Sequence, residues 1–378
     1  MSLRRGITTG TTAAGAAKAS AISLTGGVCP DYVTVTLPNG EDRRVEIESC
    51  IDGLATAIKY SGDDPDVTNG IRITARVEFA RLTGTTCCSN SLDEVIIKGG
   101  NGIGIVTKAG LQVPVGSHAI NPVPMQMIKQ AVRQILWEST FDPNGGLNVL
   151  ISVPDGERIA KKTFNERLGI IGGISIIGTT GIVTPMSCEA VKATIRCEID
   201  VAAIEMRSKI LYLSPGKIGE TALKKNIGCH CVVQMSNYIG HALTYALDKG
   251  IEEIVIGGHP GKLAKLAMGY WDTHSENSPQ AVDYVTEFIG IKSQDSAHKK
   301  FNTVEEIIEH LCIEEPEENF SIIEQAQDLS LRRGNPFNDL AAEIAQAIIS
   351  KFEFKKVTIY LFDMKKKTIG IGRCARYI

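Results

Sequence analysis

The sequence predicts two domains, a parallel-sheet Rossmann-like α/β domain inserted in or following an α+β domain, and three observations carry that expectation. The chain has 378 residues, more than one hydrophobic core usually serves. From about Leu147 to His259, short apolar runs alternate with helix-like segments, the pattern of a parallel sheet covered by helices. The N-terminal third instead strings several strands together before one long helix.

In the α/β part the expected strands are LNVLISVP (147–154), GIIGGISIIG (169–178), KILYLSP (209–215), CVVQMSN (231–237) and EEIVIGGH (252–259). Each is rich in Ile and Val and closes on a turn signal. EAVKATIRCEIDVAAIEMRSK and YIGHALTYALDKG place apolar residues three and four apart, as amphipathic helices do, and Gly250 is positioned to end the second. Earlier in the chain VTVTLPNG, RRVEIES, IRITARVEFA and EVIIKGG read as strands, and MQMIKQAVRQILWEST as a helix introduced by NPVP. The C-terminal part carries the helix DLAAEIAQAIISKF and the strands KKVTIYLFD and TIGIG, which are read as returning to the first domain's sheet. The expected division is therefore 1–144 with 300–378 as a discontinuous α+β domain and 145–299 as the α/β domain. The acidic run EEPEEN at 314–319 reads as a solvated loop.

Composition narrows the function classes. Hydrophobic residues at 43% and charged residues at 22% describe an ordinary globular chain rather than a disordered one. A net charge of -3 and only 6% aromatic residues argue against a nucleic-acid partner. No signal-peptide pattern forms, and the apolar stretch from Gly169 to Gly178 falls far short of the roughly 20 residues of a membrane helix, so a cytoplasmic protein without a membrane partner is expected. The ten cysteines then read as reduced thiols. Cys229-His230-Cys231 sets three potential ligands side by side, but neighbours on a strand point to opposite faces and no second Cys or His pair stands nearby, so no metal is expected. Association into a homo-oligomer is left open.

Four stretches carry chemistry. GDDPDVTNG at 62–70 crowds Asp63, Asp64 and Asp66 into one turn; three like charges so close predict a raised carboxyl able to act as acid or base, and equally suit a plain exposed Asp-Pro turn. GGNGIG (99–104) and GGISIIGTTG (172–181) would let backbone amides approach an oxygen-rich ligand, although neither is a Walker loop or a full dinucleotide fingerprint. GGHPGKLAKLAMGYWDTHS (257–275) follows a strand and opens a helix, the place where open α/β sheets bind ligands. His259 would sit at the strand end, Lys262 and Lys265 on the helix, and Thr273, His274 and Ser275 beyond it; a capping histidine or threonine is the competing explanation.

These blocks, together with RRGITTGTTAAGAAKAS at the N-terminus, GGNGIGIVTKAGLQVPVGSHAINPVPMQMI and NERLGIIGGISIIGTTGIVTPMS, resemble in content and order those of the CbiD family, the cobalt-precorrin-5B C1-methyltransferases of anaerobic cobalamin biosynthesis. Thr12 stands where many relatives are expected to carry a cysteine, which argues against a required thiol there. The resemblance implies transfer of a methyl group from S-adenosylmethionine to ring carbon C1 of cobalt-precorrin-5B, giving cobalt-precorrin-6A. The substrate is a cobalt-containing tetrapyrrole, whose metal belongs to the macrocycle. Its carboxylates would seek cations, with Arg4, Arg5, Lys108, Lys262 and Lys265 as candidates beside Thr273 and Ser275. Topology places S-adenosylmethionine over the sheet's carboxyl edge, near Gly172, Gly173, Gly178, Thr179, Thr180, Gly181, Ser214, Gly216, Asn237, Gly257, Gly258 and His259. Asp63, Asp64, Asp66 or His274 would handle protons. The rivals are a non-catalytic corrinoid carrier and a nucleotide-dependent α/β enzyme of another reaction class.

Overall fold

The structure, a computed structural model, describes residues 3–79, 95–138, 146–205, 209–290, 301–312 and 334–376. The chain divides into two compact units, Met1–Ser187 and Cys188–Ile378. The run at 314–319 lies outside the described residues.

In unit 1 the elements are β1 (Gly6–Ile7), α1 (Thr9–Leu24), β2 (Tyr32–Thr36), β3 (Asp42–Ile51), β4 (Leu54–Ile58), β5 (Arg72–Phe79), β6 (Val95–Gly99), β7 (Ile105–Val106), α2 (Pro122–Glu138), β8 (Leu147–Ser152), α3 (Gly156–Ala160), β9 (Ile170–Ile171) and β10 (Ile182–Val183). Six strands form one sheet in the order β2-β3-β4-β5-β8-β6, antiparallel except for the β6–β8 pair. Along β5 the side chains of Ile73, Ala75 and Val77 are buried while Arg72, Arg76 and Glu78 are exposed, the period of two that covers one face only.

That face is covered by α1, whose residues from Thr9 to Ala21 are all buried. A helix enclosed on every side needs small residues, and Ala, Gly, Ser and Thr supply them while keeping helix propensity high through the alanines. It packs on β2 to β5 beneath and on α2 above. Contact is close enough at Gly15 that a methyl group there would run into the Val45 side chain. Ser20 ties the far end down, donating to Gly53 O at 2.5 Å and accepting from Val77 N at 2.9 Å.

In unit 2 the elements are α4 (Cys188–Glu205), β11 (Ile210–Ser214), α5 (Lys217–Ile227), β12 (Val233–Gln234), α6 (Ile239–Asp248), β13 (Glu253–Gly258), α7 (Pro260–Ala267), α8 (Val282–Phe288), α9 (Val304–Cys312), α10 (Pro336–Lys351), β14 (Lys356–Phe362) and β15 (Thr368–Ala375). The sheet order is β12-β11-β13-β14-β15, with four parallel strands and β15 antiparallel at the edge. One face, with Leu211, Leu213, Ile254, Ile256, Val357, Ile359 and Leu361, joins the core built with α4, α6, α7 and α10. On the other, Ala222 and Leu223 of α5 pack with Val232, Tyr212, Val255, Tyr360 and Phe362.

Three expectations are corrected. Segment 147–152 is β8 of unit 1, and its alternating burial suits a sheet covered on one face. Segment 169–178 is no parallel-sheet strand; it supplies β9 and two isolated bridges in unit 1. The C-terminal strands stay in unit 2, where β14 is apolar on both faces, as only a strand inside a two-sided sheet can be. The division accordingly falls once, at 187/188, rather than at 144 and 300. Gly250 does follow α6 in the left-handed conformation (φ 74°), as expected of a terminator.

Replacing Gly15 by Ala should destabilise unit 1 by about 1–3 kcal/mol through overpacking. Val45→Ala in the same chain should recover part of that loss, as read by urea unfolding of both variants.

Candidate functional site

At the carboxyl edge of the unit 2 sheet, the chain leaves β11 through α5 towards β12, and leaves β13 in the opposite direction towards β14. A crevice between diverging connections is where open α/β sheets take ligands. Here the two loops meet closely. Gly219 is pressed against Gly257 O and Ser214 Oγ, and a methyl group on Gly258 would stand 3.1 Å from Pro215 Cδ. Ser214 shapes the turn, its Oγ donating to Gly216 O (2.7 Å) and accepting from Gly216 N (3.2 Å). Gly216 begins α5 with no side-chain cap, and a Cβ added there would meet no atom within 4 Å. The amides of Lys217, Ile218 and Gly219 have no acceptor among the described residues, the condition in which a helix start can take an anionic group.

His259 caps α7. Its Nδ1 accepts from Gly261 N at 3.1 Å, which places the ring proton on Nε2, 2.8 Å from Glu305 Oε2. Both nitrogens are occupied, so the ring holds the loop in shape and offers no free atom to a ligand. Lys265 is buried and donates to Thr273 O (3.2 Å) and Ser278 Oγ (3.0 Å), which removes it from the substrate-binding candidates. Lys262 differs: it is half-buried, and among the described residues its ammonium has no hydrogen bond or ion pair. Burial, with the charge of Lys265, pushes it down from the usual lysine range against the pull of Asp272.

Asn237 O accepts from Thr273 N at 2.9 Å, which fixes the Asp272–Ser275 loop beside the start of α6. Asp272 Oδ1 accepts from His274 N at 3.0 Å, and the exposed His274 ring accepts from Glu276 N at Nδ1 (3.3 Å). Ser275 is exposed. Burial pushes the Cys229 thiol up.

The remaining candidates lie in unit 1, and this corrects their placement. Gly172, Gly173, Gly178, Thr179, Thr180 and Gly181 belong to a segment laid along the start of α1, away from any parallel sheet. Thr8 N donates to Gly181 O (3.1 Å), Gly10 N to Ile177 O (3.0 Å) and Thr11 Oγ1 to Gly181 O (2.7 Å). Thr9 Oγ1 accepts from Ile177 N at 2.9 Å. Gly173 backs onto Gly102, Gly178 onto Thr8 and Gly181 onto Leu37, so these glycines permit close approach of protein to protein. Gly172, Thr179 and Thr180 are exposed. Lys108 is half-buried in the same unit, its stem against Gly169.

The acidic turn packs against this N-terminal strip, Arg5 bridging to Gly62 and Ile7 N donating to Tyr60 O at 2.7 Å. The three carboxylates do not share one repulsive pocket. Asp63 takes Arg4 through Nη2 (2.7 Å) and Nε (2.9 Å), and these bonds hold its carboxyl below the usual range. Asp64 Oδ1 accepts from Met186 N at 2.9 Å. Asp66 takes Lys59 Nζ at 2.6 Å on one oxygen and Thr68 N (2.8 Å) and Oγ1 (2.7 Å) on the other. Burial raises Asp66, but the Lys59 charge and these donors outweigh it and keep the carboxyl low. The expected raised carboxyl is thus absent at both Asp63 and Asp66, because each of these two carboxylates has its own cation and donors. The sequence reading missed Lys59, only 2% exposed, also bonded to Ser61 Oγ at 2.5 Å; its place immediately after a buried strand and seven residues before Asp66 is the signal that would have found it.

A covered, mostly parallel sheet with a glycine-lined carboxyl edge, an uncapped helix start and a lysine on α7 without a partner among the described residues places unit 2 in the class of open α/β folds. The match to known proteins is more particular. The CbiD family model matches residues 1–185, which is nearly all of unit 1. A cobalt-precorrin-5B C(1)-methyltransferase from Ruminiclostridium cellulolyticum is 44% identical over 73% of this chain and 70% of its own. Another, from a Thermoanaerobacter species, is 34% identical over 97% of this chain and 95% of its own. A crystal structure of the cobalamin biosynthesis protein CbiD from Archaeoglobus fulgidus is 34% identical and covers 72% of this chain and 83% of its own, with a TM-score of 0.40. The chain belongs to the CbiD family.

Asp66→Asn should cost about 3 kcal/mol, because it strands a buried ammonium, and Lys59→Met with Asp66→Asn together should cost less than Asp66→Asn alone. Since the folded Asp66 carboxyl is held below its ordinary value of 3.8, its contribution is complete above that pH and is lost as pH falls through the depressed value. Acid unfolding of the wild type and the Asn variant should therefore converge only as pH falls below the ordinary aspartate value of 3.8, measured by circular dichroism.

Proposed function

We propose that this protein is an S-adenosylmethionine-dependent C-methyltransferase that methylates ring carbon C1 of cobalt-precorrin-5B to give cobalt-precorrin-6A. The observation that carries the reading is a relative of that name aligned over 97% of this chain and 95% of its own length. S-adenosylmethionine, when bound, supplies an electrophilic methyl group on sulfonium sulfur, which leaves as the thioether.

The residues at the carboxyl edge of unit 2 fit such a ligand. Counted from β11, its strands run 2-1-3-4 and then an antiparallel fifth, a Rossmann-like, doubly wound order whose switch point falls between the first and third strands. The α5 start at Gly216 would accept the amino-acid carboxylate through the amides of Lys217 to Gly219. Ser214, Gly257 and Gly258 keep side chains out of that space, His259 and Asn237 hold its two loops, and Thr273 fixes the adjoining one. Lys262 would pair with a carboxylate of the tetrapyrrole, since its ammonium is the one on α7 not already engaged. In unit 1, Arg4 is committed to Asp63.

The catalytic work asked of the chain is alignment: two large ligands held with donor and acceptor in line. Asp63 and Asp66 are held ionised by Arg4 and Lys59, and Asp64 holds the Met186 amide. His274, whose Nε2 has no partner among the described residues, is left to accept a proton from the ring as C1 is methylated.

Calorimetric titration with S-adenosylhomocysteine should give binding of roughly micromolar strength. Gly216→Leu should abolish it without unfolding the protein, because the new side chain meets only open space, and Thr180→Ala should leave it unchanged. Loss in Thr180→Ala alone would move the cofactor to unit 1. No binding with or without a cobalt corrinoid would leave the corrinoid-carrier reading.

A further inference from the structure

On the β12 side of the same edge stands a second cationic group. Arg196 of α4 is half-buried and donates from Nη1 to His241 Nε2 at 3.2 Å. An arginine is always charged, so Nε2 must be the unprotonated nitrogen, and the imidazole is neutral with its proton on Nδ1, directed to the Lys192 main chain. Burial, then the charges of Arg196 and Lys192, depress the His241 pKa and keep the ring in that form. His241 is thereby wedged between α4's backbone and the guanidinium, and it orients the guanidinium without neutralising it.

No carboxylate among the described residues pairs with Arg196. The nearby acids are occupied: Glu189 pairs with Lys192 at 2.9 Å, and Asp272 accepts from His274 N and from Asn277 Nδ2 at 2.9 Å. A half-buried guanidinium held by a neutral acceptor has four further N–H donors in a planar fork, the geometry that matches a carboxylate in two parallel bonds. His241 stands in the first turn of α6, and Gly240 N donates to Trp271 O at 2.8 Å. The pair is therefore next to the loop of Thr273 and His274, on the edge that the methyl-transfer reading gives to the reaction.

We infer that Arg196 is a carboxylate-recognition residue for the tetrapyrrole, with His241 as its positioning residue. This rests on the methyltransferase reading for the identity of the ligand. Recognition of one peripheral carboxylate would favour the acid form of the macrocycle over an amidated one, since an amide in the same place brings no charge and only one acceptor oxygen.

The test is an absorption titration of the full chain with a cobalt corrinoid bearing free peripheral carboxylates, and with the same corrinoid amidated. Arg196→Gln should weaken binding of the acid form about tenfold to a hundredfold and leave the amidated form unchanged. Arg196→Lys, which keeps the charge and loses the fork, should fall between. His241→Gln, which keeps a donor and an acceptor, should stay near wild type, while His241→Leu should lose most of the preference. In turnover, the Arg196 variants should raise KM more than they lower kcat. Equal affinity of wild type and Arg196→Gln for the acid form, or equal weakening for both forms, would overturn the inference. Methyl transfer with an unaltered KM in Arg196→Gln would overturn it and leave the methyltransferase reading intact. An Arg196-dependent preference in a protein that transfers no methyl group would leave the inference and remove that reading.

Discussion

Burial of the first turn of α1 is the constraint on which unit 1 depends. A helix start exposes amides with no partner inside the helix, and here no water reaches them, so the protein must supply the acceptors. It does so from two sources. Thr8 caps Thr11 N from within the segment, and the main chain at Ile177 and Gly181 takes Gly10 N and Thr8 N from outside. Backbone can lie this close to backbone only where side chains are absent, which accounts for glycine at 178 and 181. The threonine-rich N-terminus and the glycine-rich segment of 172–181 are two halves of one hydrogen-bonded joint.

That joint explains where sequence reasoning succeeded and where it failed. Periodicity was legible: the alternation in β5, the spacing in α4 and α6 and the Gly250 stop all appear as read. The glycines of 172–181 misled because a glycine that admits a ligand and one that admits another stretch of protein leave the same mark in a sequence. The C-terminal strands misled for a different reason. Whether β14 joins one sheet or another depends on long-range pairing, and only its run of apolar residues on both faces pointed to a doubly covered sheet.

Charge was legible as composition and illegible as pairing. Lys262 and Lys265 lie three apart on one helix and were read alike, yet the loop at 273–278 captures Lys265 and misses Lys262. Likewise Asp63, Asp64 and Asp66 looked like mutual repulsion, while Arg4, Met186 N and Lys59 give each its own donor. Lys18 is satisfied in the same manner by Thr34 O at 2.7 Å and Gln134 Oε1 at 2.8 Å. Partners of this kind offset part of the cost of burying a charge, and a group so engaged is spent.

The same reasoning separates the two helix starts that the sequence marks with glycine and hydroxyl residues. At α1 the protein itself supplies acceptors for the Thr8, Gly10 and Thr11 amides, so those donors serve internal architecture. At α5 the cap is Gly216, the Ser214 hydroxyl bonds only its own turn, and a Cβ on Gly216 would meet no atom within 4 Å. An anion-binding helix start requires unsatisfied amides facing room for the anion, and of these two only α5 meets both requirements. The proposed partition of function follows from that difference in satisfaction: α1 spends its donors on holding unit 1 together, while those of α5 are the ones the methyltransferase reading calls on.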